Sequence, residues 1–193
     1  MAETNQKTEQ KTHYVEEDVI KERVDHLIED RLPWLSLGVL GGLLATVIVS
    51  KYEAILAADV RLAFFMPIIV YLSDAVGTQT ETIYVRELAQ RKKINVARYF
   101  FKESLVGFWL GIGSGLVLGI FAAWWLHSLA IGAAIGLTML VNLTLSPLFA
   151  VFIPSILYRR RTDPALGSGP VATIIQDLIS LMVYFFMASM IIF

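Results

Sequence analysis

Cysteine is absent from this chain of 193 residues. That excludes a disulfide framework and any thiolate metal centre. Charge is missing from most of its length. Nearly all Lys, Arg, Asp and Glu fall in residues 1–33, 86–103 and 158–163, and no Lys or Arg lies inside the long apolar runs that fill most of the remainder. An acid inside one of those stretches therefore has no basic partner on its own run. Neither a nucleotide-binding motif nor a catalytic constellation occurs, so enzymatic chemistry is not expected.

What remains is apolar. Hydrophobic residues make up 56% of the chain, more than a soluble domain of this length can bury. They are gathered into five runs, 34–50, 62–85, 104–126, 129–157 and 171–193. A helix rises about 1.5 Å per residue and a bilayer core is about 30 Å thick, so runs of about 17 to 25 residues are long enough to cross. The expected fold is all-α, an integral membrane protein with five transmembrane helices spanning residues 34–193. The fourth run carries Pro147 and Pro154 and is expected to be kinked or tilted.

The net charge of −1 conceals an asymmetry: residues 1–33 hold nine acids against five Lys and Arg. Residues 1–12 lack apolar periodicity and read as disordered. In 13–32, Ile20, Val24, Leu27 and Leu32 recur at roughly helical spacing, which predicts a short amphipathic helix with Pro33 at its junction with the first membrane run. This polar, acidic start does not read as a signal peptide.

Arg86, Arg91, Lys92, Lys93, Arg98 and Lys102 crowd one loop, and Arg159, Arg160 and Arg161 another. The alternate loops hold only Lys51 and Arg61. The positive-inside rule then places the N-terminus in the cytoplasm and the C-terminus outside, in a multi-pass protein of the cell membrane. Beside membrane helices, such loops signal topology and not nucleic-acid binding. Gly107, Gly111, Gly115 and Gly119 repeat every four residues, as do Gly38 with Gly42 and Gly132 with Gly136. This spacing suits close helix packing within one subunit or a dimer seam.

The polar residues inside the runs carry the functional argument. A carboxylate at the bilayer centre costs about 3 kcal/mol or more unless it faces the bundle interior or a wet path. On a helix Thr173, Asp177, Ser180 and Tyr184 share one face, with Gln176 beside it. Asp74, about midway between Arg61 and Arg86, shares a face with Thr78 and Glu81. Pro67 and Gly77 flank it and weaken the helix, which can free backbone carbonyls near Gly77 as ligands. Glu81 lies nearer the cytoplasmic end, either at the site or simply solvated or paired with Arg86. Carboxylates, hydroxyls and carbonyls are hard donors that suit Mg²⁺, Ca²⁺ or Mn²⁺, and Mg²⁺ keeps much of its water. His127, between the Trp124–Trp125 pair and the next run, reads as an interfacial residue, and Asn142 as a bond to a neighbouring helix.

From DRLPWLSLGVLGGLLATVI at 30–48 to the end, the chain resembles the membrane domain of the MgtE family of magnesium channels and transporters. RLPWL enters a Gly-rich helix. FFMPIIVYLSDAVGTQTETIYVREL at 64–88 is similar to the family's Pro, then G-[ST]-Q, then Arg. DPALGSGPVATIIQDLISLMVYF at 163–185 is similar to its D-P-A motif followed by a helix with one Asp. The resemblance implies a homodimer with a pore at the subunit interface, lined by the second and fifth helices, in which Asp177 recognises a largely hydrated Mg²⁺. Two departures stand out. The family's Gly-Gly-Asn-Ala is Ser73-Asp74-Ala75-Val76 here, so an extra carboxylate precedes Gly77-Thr78-Gln79. Residues 1–33 have no room for the cytoplasmic domain and CBS pair of most members. Glu16, Glu17, Asp18, Glu22, Asp25, Glu29 and Asp30 are either a reduced Mg²⁺ sensor or one face of a solvated helix.

The expected function is passage of a divalent cation, Mg²⁺ first, with Asp177, Asp74, Thr173, Thr78, Gly77 and Glu81 as the site. An exchanger coupled to H⁺ or Na⁺, with Asp74 protonating, and a non-transporting membrane scaffold are the alternatives.

Overall fold

The computed structural model describes residues 23–90, 94–160 and 164–193. Five of its helices are long and apolar enough to cross a membrane. In chain order they are α1 (Val24–Lys51), then, after the short α2 (Glu53–Ala58) and a 3₁₀ turn (Val60–Phe65), α3 (Met66–Ala89), α4 (Val96–Leu126), α5 (Leu129–Arg159) and α6 (Pro164–Ile192). No strand occurs among the described residues. The protein is an all-α, multi-pass membrane protein.

Several helices run further than apolar length alone suggests. α1 begins at Val24 and passes through Pro33 without a break, so the described part of the expected amphipathic helix is the first turns of a membrane helix. The rest of that segment, and residues 1–12 with it, lie outside the described residues. α5 is continuous through Pro147 and Pro154. α6 starts at Pro164, ahead of the expected start near Pro170, which lies inside it. A proline at the first helical position costs nothing, because that N–H has no intrahelical acceptor to lose, and Pro170 then removes one ladder bond only. At 31 residues, α4 and α5 are each roughly 46 Å long, more than a bilayer core needs, so they tilt or project beyond it.

Packing follows the small residues. α4 lies along α5, and the buried glycines of α4 are what let them approach. A Cβ on Gly115 would lie 2.6 Å from the Gly136 carbonyl oxygen, and one on Gly119 would lie 2.8 Å from that of Gly132. The glycine repeats of the third and fourth runs therefore face each other within one chain. A Cβ on Gly38 or Gly42 of α1 would meet nothing within 4 Å among the described residues. α1 touches the bundle mainly along α6, where Gly41 meets Ile174 and Trp34 meets Gly167.

The core closes around α3, α5 and α6. Leu62, Phe65 and Ile69 pack with Ile135, Met139, Leu143 and Tyr184. At one end of the bundle the Tyr184 hydroxyl donates to the Leu62 carbonyl at 2.8 Å, and Asp59 binds Arg61 at 2.6 Å. Arg61 Nη1 also donates to the Leu126 carbonyl at 3.0 Å, which fastens the start of α3 to the end of α4. At the other end Tyr84 packs on Tyr99 and shares a 2.7 Å hydrogen bond with Ser155. His127 is exposed at the α4–α5 turn in the left-handed region (φ 52°), with Nδ1 2.7 Å from the Trp124 carbonyl oxygen.

Candidate functional site

α3 and α6 lie side by side, and the pairs they form show that they run in opposite directions. Glu81 meets Ser168, Asp74 meets Thr173, and Leu62 meets Tyr184. Gly77 sets the spacing. It is buried, and a Cβ there would overlap the side-chain amide of Gln176. Without a side chain at 77, α6 comes close enough for the carboxylates of one helix to meet the hydroxyls of the other.

Thr173 Oγ1 donates to Asp74 Oδ1 at 2.9 Å. Asp177 follows Thr173 by one turn on the same face, and its carboxylate lies within electrostatic reach of Asp74. Both are half-buried. Two turns along α3, Glu81 is 7% exposed and accepts a 2.5 Å hydrogen bond from Ser168 Oγ. Glu81 also feels the charge of Asp74. Among the described residues, no Lys or Arg forms an ion pair with any of these three acids. Neither simple solvation of Glu81 nor its pairing with Arg86, the alternatives to a site role, is what the structure places there.

Thr78, Gln79 and Thr82 are exposed on the outward side of α3. Thr78 therefore shares a helical face with Asp74 but turns away from the rest of the chain. The helix is unbroken through Gly77, and Pro67 is at its start, so Gly77 serves as a contact surface and its carbonyl stays in the helical ladder. On α6 the expected polar stripe divides. Asp177 and Thr173 remain at the edge, while Ser180 and Tyr184 are buried within the bundle.

Sequence reasoning missed a second set of residues on the inner side of this contact. Gln176 Nε2 donates to the Ser73 carbonyl at 3.0 Å and contacts Ser146 Oγ, which itself donates to the Ser73 carbonyl at 2.7 Å. Asn142 Nδ2 donates to the Ser180 carbonyl at 3.3 Å, the interhelical bond expected of it. Glu103 of α4 was also overlooked, and it accepts from Thr80 at 3.1 Å. The missed signal was spacing, because Ser73 with Gly77, Asn142 with Ser146 and Gln176 with Ser180 are all four residues apart.

Chemically, one chain offers Asp74, Asp177 and the Thr173 hydroxyl at an open edge. Among the described residues, no three His, Cys, Asp or Glu side chains are close enough together to hold a metal ion. Stripped Mg²⁺ demands octahedral coordination at about 2.0–2.1 Å, and a single chain does not supply it. Two carboxylates at an edge suit a cation that keeps its water.

Residues 66–187, from the start of α3 almost to the end of α6, match the family model described as MgtE, divalent cation transporter. The chain is 35% identical over 162 residues to the magnesium transporter MgtE of Enterococcus faecalis, covering 83% of this chain and 36% of that protein. It is 31% identical to that of Bacillus subtilis, over 82% of this chain and 36% of that protein. For the Thermus thermophilus transporter the figures are 29%, 83% and 36%. The chain thus spans little more than a third of the length of these relatives. With a family match that takes in α3, α4, α5 and the site on α6, the chain belongs to the MgtE family of divalent cation transporters.

Proposed function

We propose that this chain passes a divalent cation, Mg²⁺ first among them, through a membrane pore formed where two copies meet. The observation that carries the reading is the open edge between α3 and α6. Two carboxylates lie there with no basic partner among the described residues, beside the outward-facing Thr78, Gln79 and Thr82. Lipid cannot solvate that surface, so water or a second copy must cover it. A twofold axis along this edge brings two Asp177 and two Asp74 together around one path.

In this mechanism the carboxylates of Asp177 accept hydrogen bonds from the water shell of the ion and offset its charge. Thr173 holds Asp74 by its hydroxyl and so orients that acid beside Asp177. Thr78 lines the path with a neutral oxygen. Glu81, buried against Ser168, serves the route between the mid-membrane acids and the basic loops. The excess of basic residues in those loops supports a cytoplasmic N-terminus. The three relatives' shared name, magnesium transporter, fits the hard-oxygen chemistry of the site.

Calorimetric titration of the detergent-solubilised full chain with MgCl₂ tests this. The expected result is saturable binding near one ion per two chains, lost in Asp177→Ala. Binding that is unchanged in Asp177→Ala, or none in the wild type, contradicts the proposal. The second carboxylate favours one other reading, a cation exchanger in which Asp74 carries a proton. Uptake driven by a proton gradient at zero Mg²⁺ gradient distinguishes it from passive flow.

A further inference from the structure

Behind the α3–α6 edge, three helices meet in a buried polar knot. It comprises Ser73 of α3, Asn142 and Ser146 of α5, and Gln176 and Ser180 of α6. The bonds already described satisfy the Ser73 carbonyl twice over and give Asn142 Nδ2 an acceptor in the Ser180 carbonyl. The other end of the Asn142 amide is different. Asn142 is only 3% exposed, and no donor among the described residues reaches its Oδ1.

Turning the amide over does not help. Oδ1 would then face the Ser180 carbonyl, acceptor against acceptor, and the bond at 3.3 Å would be lost. A buried amide oxygen without a donor forfeits its hydrogen bond to water and gains nothing in return. Such groups are rare in folded proteins, and where they occur an ordered water commonly supplies the donor.

The space for that donor exists. A cavity of about 10 Å³ adjoins Asn142, lined by Ser73, Ser146, Gln176 and Ser180 together with Leu145, Phe149 and Ile179. That volume admits one water molecule and no more. Its walls are polar on three helices, whereas an engineered hole in an apolar core stays dry. A bare cation fits poorly, because the Gln176 amide N–H already occupies the Ser73 carbonyl and Ser146 hydroxyl that would have to coordinate it.

We infer that this cavity is a binding site for a single water molecule, which donates to Asn142 Oδ1 and joins α5 to α3 and α6. The inference concerns the packing of one chain and is independent of the transport reading. The cavity reaches to within one residue of the acid-bearing position: Gln176, which lines it, immediately precedes Asp177. Bridging through water also leaves the three helices joined by a bond that can break and re-form without stranding a protein group.

The test is a density map of the full-length chain in lipid nanodiscs at a resolution that shows ordered water. The expected result is one peak about 2.7–3.0 Å from Asn142 Oδ1. A cavity without a peak, or a protein hydroxyl turned onto Oδ1, overturns the inference. A map of Asn142→Leu, which removes the acceptor and fills the space, provides the second reading. There the peak must disappear, and a peak that persists shows that Asn142 does not hold the water. If that variant does not fold, the wild-type map decides alone.

Discussion

Gly77 and Gln176 occupy the same few cubic ångströms at the α3–α6 contact, and the site depends on that arrangement. A methyl group at 77 overlaps the Gln176 amide, so Gly77→Ala must push Gln176 off the Ser73 carbonyl or part the helices. Overpacking of this kind costs about 1–3 kcal/mol, read as a lower thermal midpoint. In a Gln176→Ala background the clash is gone, so Gly77→Ala should cost much less there, and a double-mutant cycle measures the difference. Additive losses would show that the two residues do not compete. Asp59 gives a second test. The Arg61 guanidinium beside it holds its carboxyl below the usual aspartate value. A folded value below the unfolded one, about 3.9, means the stabilisation is complete above that pH and is lost as pH falls through the folded value. Between about pH 6 and about pH 3, the wild-type midpoint should therefore fall further than that of Asp59→Asn, whose amide does not titrate. Equal falls would remove Asp59 from the account. At this scale Asp177 and Asp74 were legible in the sequence, because a charge inside an apolar run stands out. Ser146 and Ser168 were not, nor were the partners of Ser73 and Gln176. Small neutral polar residues carry little cost in a membrane helix, and only their partners reveal them.

Among the elements, α4 and α5 give the clearest division between glycines that are needed and those that are not. Gly119 faces the Gly132 carbonyl, so Gly119→Val cannot be accommodated without separating the helices. Gly113, on the same helix, has nothing within 4 Å of where its Cβ would lie. Gly113→Val should therefore leave the thermal midpoint within about 2 °C of wild type, while Gly119→Val lowers it severely or prevents folding. Similar effects at both positions would place the α4–α5 contact elsewhere. The number of membrane helices and their approximate places were readable from apolar length. Their ends were not, because length and hydropathy do not register a helix that continues past the bilayer. Pro33 and Pro170 look like boundaries in sequence, yet α1 and α6 pass through both. A bundle that supplies packing on either side tolerates the one lost bond.

The whole molecule presents one uneven surface. Most of its outside is apolar and suits lipid, but the edge between α3 and α6 carries Thr78, Gln79, Thr82 and two half-buried acids. If two copies meet along that edge, a cysteine at 78 should cross-link to its twin in membranes under mild oxidation. The chain has no native cysteine to confuse the result. Gly113→Cys, exposed on α4, should stay monomeric on the same gel, and the reverse pattern would move the interface. Which helices line such a path could be anticipated from the acids and from family resemblance. Which faces point outward could not, because Asp74, Thr78 and Glu81 share a helical face by spacing, yet Glu81 turns into the bundle and Thr78 turns out of it.

Mg²⁺ flux into liposomes containing the purified chain tests the central claim most directly, with Asp177→Ala and Asp74→Ala measured at equal incorporation. Wild-type protein should admit Mg²⁺ down its gradient, Asp177→Ala should reduce the rate at least tenfold, and Asp74→Ala should change the rate or the preference among divalent ions. A tenfold loss corresponds to about 1.4 kcal/mol at the site, well within what one carboxylate contributes to a divalent cation. Wild-type liposomes that stay impermeable to Mg²⁺ under either gradient, or an Asp177→Ala protein that conducts as well as wild type, would contradict it.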